Sequence, residues 1–121
     1  MRSPLGRVAV AERSMEPVLR PGDCLLVWRG LRRNARGRAG ALDQRRAAIR
    51  VRPGQIVIAR NPQRPDMLLV KRTAWLEPEG WWLDSDNPRA GAVDSVRLGL
   101  IPPELIEGLV LFRYWPVLRR S

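Results

Sequence analysis

Residues 53 to 72 read Pro53-Gly54-Gln55-Ile56-Val57-Ile58-Ala59-Arg60-Asn61-Pro62-Gln63-Arg64-Pro65-Asp66-Met67-Leu68-Leu69-Val70-Lys71-Arg72. A Pro-Gly turn opens the stretch, because proline presets φ and glycine tolerates positive φ. Gln55 to Arg60 is a β run, Asn61 to Asp66 with its two prolines reads as a hairpin loop, and Met67 to Trp75 is a returning strand. The same design occurs upstream: Val8-Ala9-Val10 is a short strand, Arg20-Pro21-Gly22-Asp23 a turn and Cys24 to Trp28 a buried strand. Downstream, Glu77-Pro78-Glu79-Gly80 turns into Trp81-Trp82-Leu83-Asp84 and Asp86 to Asp94 is loop. Pro102 to Ile106 starts one helical turn, and Gly108 to Trp115 is a last strand. Short strands between Pro/Gly turns, with little helix, predict an all-β fold, a partly open barrel.

The length of 121 residues suits a single domain, 1–121, with enough chain for a core. Gly30 to Ala48 is basic and rich in Gly and Ala, and reads as a flexible insertion over 30–50 with a short helix in Leu42 to Ile49. Nine arginines fall between Arg29 and Arg52, with Asp43 as the one acid among them. The net charge of +10 has two readings. One is a footprint for nucleic acid or an anionic membrane. The other is arginine bias plus one solvated loop. Aromatic residues are absent between Trp28 and Trp75, which argues against a single-strand binding surface. The apolar runs are far short of the ~20 residues that span a bilayer. No long apolar stretch follows the basic N-terminus, as a secretory signal would require. The expectation is a cytoplasmic chain without an anchor. Cys24 is the only cysteine and histidine is absent, so an internal disulfide and a Cys/His metal site are excluded. No cofactor or metal is expected.

Lysine and arginine together number 22, and Lys71 is the only lysine. An arginine stays protonated near neutral pH, whereas a desolvated lysine can lose its proton. Side chains alternate along a strand, so Leu69, Lys71 and Thr73 share one face and Leu68, Val70 and Arg72 the other. Lys71 is thus either a snorkelling surface lysine or a buried amine fit to act as a base. Its natural partner is Ser14, which follows a strand and precedes Pro17; Met15 offers apolar cover. Without histidine the Ser-His-Asp triad is impossible, and a Ser–Lys dyad is the remaining variant.

Several boxes lie in order around these two residues. Ser14-Met15-Glu16-Pro17-Val18-Leu19 followed by Gly22-Asp23 resembles the nucleophile box of the type I signal peptidase family. Pro53 to Val57 resembles its Pro-Gly-Asp-Val-Val strand start, and Leu69-Val70-Lys71-Arg72 its base box. Asp86-Asn87, then Asp94-Ser95 and Gly99, resemble its Gly-Asp-Asn…Asp-Ser-Arg-x-x-Gly box, and Ile101-Pro102 through Gly108 its usual ending. The resemblance implies Ser14 as nucleophile, Lys71 as general base and the Ser14 backbone N–H as an oxyanion donor. It implies Asp94 and Ser95 as supports beside Lys71, Asp86 and Asn87 as ordering residues, and Pro17, Gly22 and Asp23 as turn formers. The chain departs from the family pattern in several places, among them an insertion over Gly30 to Ala48 and one extra residue in the loop before Asp94-Ser95. Glu12 stands where a serine or glycine is usual, Ala92 replaces the serine that can bond the lysine, Ser85 replaces a glycine, and Val96-Arg97 stands where Arg-x is expected.

The compact chain, the Gly80-Trp81-Trp82-Leu83 to Pro88 run and the Arg113-Tyr114-Trp115-Pro116 ending resemble the family's soluble branch of nickel-type superoxide dismutase maturation proteases. That resemblance implies a precursor protein as partner, namely a nickel superoxide dismutase precursor whose leader is removed. Two alternatives stand beside it. One is a general leader peptidase meeting the membrane peripherally through Trp75, Trp81, Trp82 and Trp115. The other is a non-catalytic basic β-module for nucleic acid.

Overall fold

A computed structural model describes residues 3–31, 50–91 and 93–116. The basic insertion expected over 30–50, and its short helix, lie almost entirely outside the described residues.

Six strands build one antiparallel sheet: β1 (Leu5–Ala9), β2 (Cys24–Trp28), β3 (Ile56–Asn61), β4 (Arg64–Glu77), β5 (Gly80–Asp84) and β6 (Ile106–Trp115). Their order across the sheet is β1-β2-β6-β3-β4-β5. Among the described residues the sheet is open, with β1 and β5 at its edges, and helix is scarce. The 3-10 turns Pro88–Ala90 and Pro103–Leu105 flank one four-residue helix, α1 (Ser95–Leu98). The all-β expectation holds. β6 is inserted between β2 and β3, so the end of the chain holds the two hairpins β1–β2 and β3–β4 together.

The β3–β4 hairpin is tighter than its sequence suggests. The expected loop over Asn61 to Asp66 shrinks to Pro62-Gln63, because Asn61 is buried and its Oδ1 accepts from the Gln63 and Arg64 amides at 2.8 and 3.3 Å. Such a side-chain turn supplies the acceptor that a longer loop would take from water. β4 therefore starts at Arg64 and runs fourteen residues.

Both faces of the central strands are covered, which explains the near-continuous burial of Val57, Ile58 and Ala59. On one face Val57, Ala59, Leu69, Leu83, Ile101, Ile106 and Leu109 form a cluster with Leu31 and Trp81. On the other, Ile58 packs with Val10, Met15, Leu19, Leu25 and Val27. Met15, next to Ser14, is fully buried there. Apolar burial on two faces contributes roughly 1.5–3 kcal/mol per large aliphatic side chain. It makes this region of the sheet a rigid base for polar groups. The turn into β5 depends on Gly80, at φ +148°, because a Cβ there would lie 2.2 Å from the Ile101 carbonyl oxygen. That close approach lets Trp81 and Ile101 exchange two backbone bonds of 2.8 Å each, which pins β5 to the segment after α1.

Candidate active site

The alternation read from the strand places Lys71 opposite Val57 and beside Leu69 and Thr73, all buried. Arg72 points to the other face, where its guanidinium grips Asp86 in two bonds of 2.9 and 2.8 Å. Residues 85 and 86 follow β5 and face the two cations of β4 in turn. Asp86 takes Arg72, and the Ser85 hydroxyl takes the Lys71 amine at 3.2 Å. Period-two geometry thus separates a half-buried ion pair from a fully buried amine within four residues.

Lys71 is 1% exposed, among the most buried side chains described. Burial lowers its amine below the ordinary value near 10.5, because desolvation penalises the ammonium; the charges of Glu12 and Asp94 pull it part of the way back. The snorkelling alternative is removed, since no exposed path is left for the amine. The Ser85 hydroxyl donates in turn to Asp94 Oδ2 at 2.8 Å. The other carboxylate oxygen of Asp94 accepts from the Val96 amide at 3.0 Å and caps α1. Ser95 is buried, and its Oγ accepts from the Leu83 amide at 2.7 Å, fastening α1 to β5. α1 itself was unforeseen: Asp86 to Asp94 reads as loop, and nothing in the sequence marks the turn that Asp94 caps.

Ser14 is 4% exposed, in the loop between β1 and β2. The loop is closed by Leu19 N donating to Met15 O at 2.9 Å and by Asp23 Oδ2 accepting from Arg20 N at 2.8 Å. Pro17 is exposed, at the outer side of this turn. Asn87 reaches the Ser14 loop directly. Its amide donates to the Ser14 carbonyl at 2.7 Å, and its Nδ2 to the Arg13 carbonyl at 3.1 Å. Residues 85 to 87 therefore grip the Lys71 amine at one end and the Ser14 backbone at the other. Successive Cα atoms are ~3.8 Å apart, so these two anchor points lie within two residues of each other along the chain, in the bend that follows β5. Strand β4 and the β1–β2 loop, far apart in sequence, meet at this strap.

Glu12 is exposed, and its charge acts on Lys71. It therefore lies on the site's rim, where water screens it. The residue that sequence reasoning missed is Ser85, noticed only as a serine in place of a glycine. The signal was a pair of departures in one loop: a hydroxyl lost at Ala92 and one gained at Ser85. Ala92 itself lies outside the described residues.

No family model matches the chain. The chain is similar to mitochondrial inner membrane protease subunit 1 of Xenopus tropicalis, 27% identical over 124 aligned positions that cover 86% of this chain and 65% of that protein. It is also similar to mitochondrial ATP-independent inner membrane protease subunit 1a of Arabidopsis thaliana, 32% identical over 85 positions, covering 52% of this chain and 50% of that protein. The chain thus spans about half to two thirds of the length of these curated relatives. Both relatives are named as protease subunits.

Proposed function

We propose that this chain is a serine-type endopeptidase in which Ser14 and Lys71 form the catalytic dyad, and that it removes an N-terminal leader from a precursor protein. The observation that carries this reading is a wholly buried lone lysine, its amine biased toward the neutral form, strapped by residues 85 to 87 to the backbone of Ser14. In the reaction, neutral Lys71 Nζ takes the Ser14 hydroxyl proton as Oγ bonds to the scissile carbonyl carbon. The Ser14 backbone N–H donates to the developing oxyanion, a contribution of ~3 kcal/mol where such donors have been tested. The C–N bond then breaks, and the Lys71 ammonium returns the proton to the leaving amine. Water hydrolyses the resulting ester with Lys71 again as base. The substrate we favour is the precursor of a nickel superoxide dismutase, on the resemblance in the Gly80 to Pro88 run and the Arg113 to Pro116 ending. Incubating the chain with that precursor and sequencing the new N-terminus tests both levels. Ser14→Ala and Lys71→Met should each abolish cleavage; either variant cutting at the parent rate removes the dyad.

A second reading, a leader peptidase seated peripherally on a membrane, is favoured by one observation. Leu111, Phe112, Tyr114 and Trp115 of β6 and Trp75 and Leu76 of β4 are exposed. Trp81 leaves this group, since it is buried in the core at 5% exposure, and Trp82 stacks on Trp75 with ring centroids 5.1 Å apart. Among the described residues no helix is long and apolar enough to cross a membrane.

A further inference from the structure

We propose that Ser85 is the positioning residue for the Lys71 amine: held by Asp94, its hydroxyl accepts one Nζ–H and so leaves the amine lone pair free to face Ser14. The inference rests on the reading of Lys71 as the base. It follows from which groups can donate. An ionised carboxylate only accepts, so the 2.8 Å contact to Asp94 commits the Ser85 proton to Oδ2. Only lone pairs remain on Ser85 Oγ for the 3.2 Å contact with Lys71, so there the lysine must donate. A neutral amine has two N–H groups and one lone pair. Fixing one N–H restricts rotation about the last side-chain bond, and the lone pair of the base no longer samples unproductive directions.

The acceptor end of this chain of bonds is anchored. Asp94 is held by the Val96 amide, its own carbonyl accepts from Arg97 and Leu98 at 2.9 Å each, and Ser95 ties the helix to β5. Ser85 follows Asp84, which pairs in register with Arg72, so the edge strand sets its height along β4. The charged groups acting on Lys71 are Glu12 from the β1–β2 loop and Asp94 from the α1 cap; Asp86 is engaged with Arg72 on the opposite face. A hydroxyl that only joined β5 to α1 would matter for stability and leave the lysine's titration alone. A positioning hydroxyl must also alter that titration, because it is the acceptor that links the amine to a carboxylate.

The test exploits Lys71 being the only lysine. Protein grown with lysine labelled with carbon-13 at Cε gives one side-chain resonance, whose shift against pH reads this amine without a substrate. Ser85→Ala should move the midpoint to lower pH, because the ammonium loses an acceptor. It should also lower kcat on a cleaved precursor by about ten- to a hundredfold with little change in KM. Ser85→Thr, which keeps the hydroxyl, should bring both back toward the parent. A folded Ser85→Ala variant with the parent's midpoint overturns the proposal, as does a Ser85→Thr variant that behaves like Ser85→Ala. If Ser85→Ala does not fold, Ser85→Gly removes the hydroxyl for the same reading. A parent chain that cleaves no precursor counts against the peptidase reading, and the resonance still decides whether Ser85 holds Lys71.

Discussion

At the scale of the residue, Lys71 is costly to fold and useful for that reason. Its folded value lies below its unfolded one, so between the two the unfolded chain holds the extra proton and stability rises with pH. Below the folded value the full cost of burying the ammonium is present. Lys71→Met should therefore stabilise the chain at neutral pH by about 1–3 kcal/mol, and the gap to the parent should close as pH climbs toward 10.5. Denaturant melts of both proteins at several pH values read this directly. In the proposed dyad the same residue would set catalysis in the opposite sense. Activity should fall as pH drops through the Lys71 titration, since only the neutral amine is a base. Lys71→Arg should lose about 10²–10⁴-fold in kcat/KM, because a guanidinium keeps its proton. Glu12→Gln removes a charge that favours the ammonium, so the acid limb of the pH profile should move to lower pH. The move should shrink in high salt, because Glu12 is exposed.

At the scale of the element, the edge hairpin β4–β5 is the part that makes a site out of a sheet. β4 carries Lys71 and Arg72 on opposite faces, and the segment after β5 supplies a partner for each. The hairpin turns at Gly80, where backbone meets backbone. Gly80→Ala would drive a Cβ into the Ile101 carbonyl and should cost about 2–4 kcal/mol, visible as a lower melting temperature. The same change should loosen β5 against Ile101 and weaken cleavage through Ser85 and Asn87. α1 is only four residues long, too short to be stable by itself. It persists because Asp94 caps it and Ser95 bonds β5.

At the scale of the molecule, the sheet's register gathers its exposed aromatic residues at one end. β4 and β6 both run antiparallel to β3, and both continue past its start: pairing stops at Arg72↔Ile56 and at Leu109↔Val57. The exposed Trp75 and Leu76 and the exposed Leu111, Phe112, Tyr114 and Trp115 lie on these continuations. Arg7 stands over the Tyr114 ring at 5.9 Å, placing a cation among them. If this end rests on a lipid surface, the parent should co-sediment with anionic vesicles. Trp115→Ser and Phe112→Ser should each weaken the partition by about tenfold, and added salt should weaken it further. Vesicle binding that ignores both substitutions would remove the membrane reading and leave the leader peptidase in solution.

Much of this could be read from the chain alone, because the physics involved is local. Pro-Gly turns and short β-branched runs placed five of the strands within a few residues, and period-two alternation put Lys71 and Arg72 on opposite faces; only the fold shows that Lys71 is the buried one. A single lysine among arginines, with no histidine, marked the one side-chain amine as the candidate base. The order of the boxes singled out Ser14. What the chain alone left open was set by contacts between distant segments. The two-residue turn at Pro62-Gln63 depends on burying Asn61, and α1 depends on a serine reaching β5. The strap from Lys71 through Ser85 to Asp94, and from Asn87 to Ser14, joins residues as far apart as 14 and 87. A hydroxyl's role depends on where its proton goes, and only the folded arrangement, with a carboxylate waiting on one side and an amine on the other, decides that.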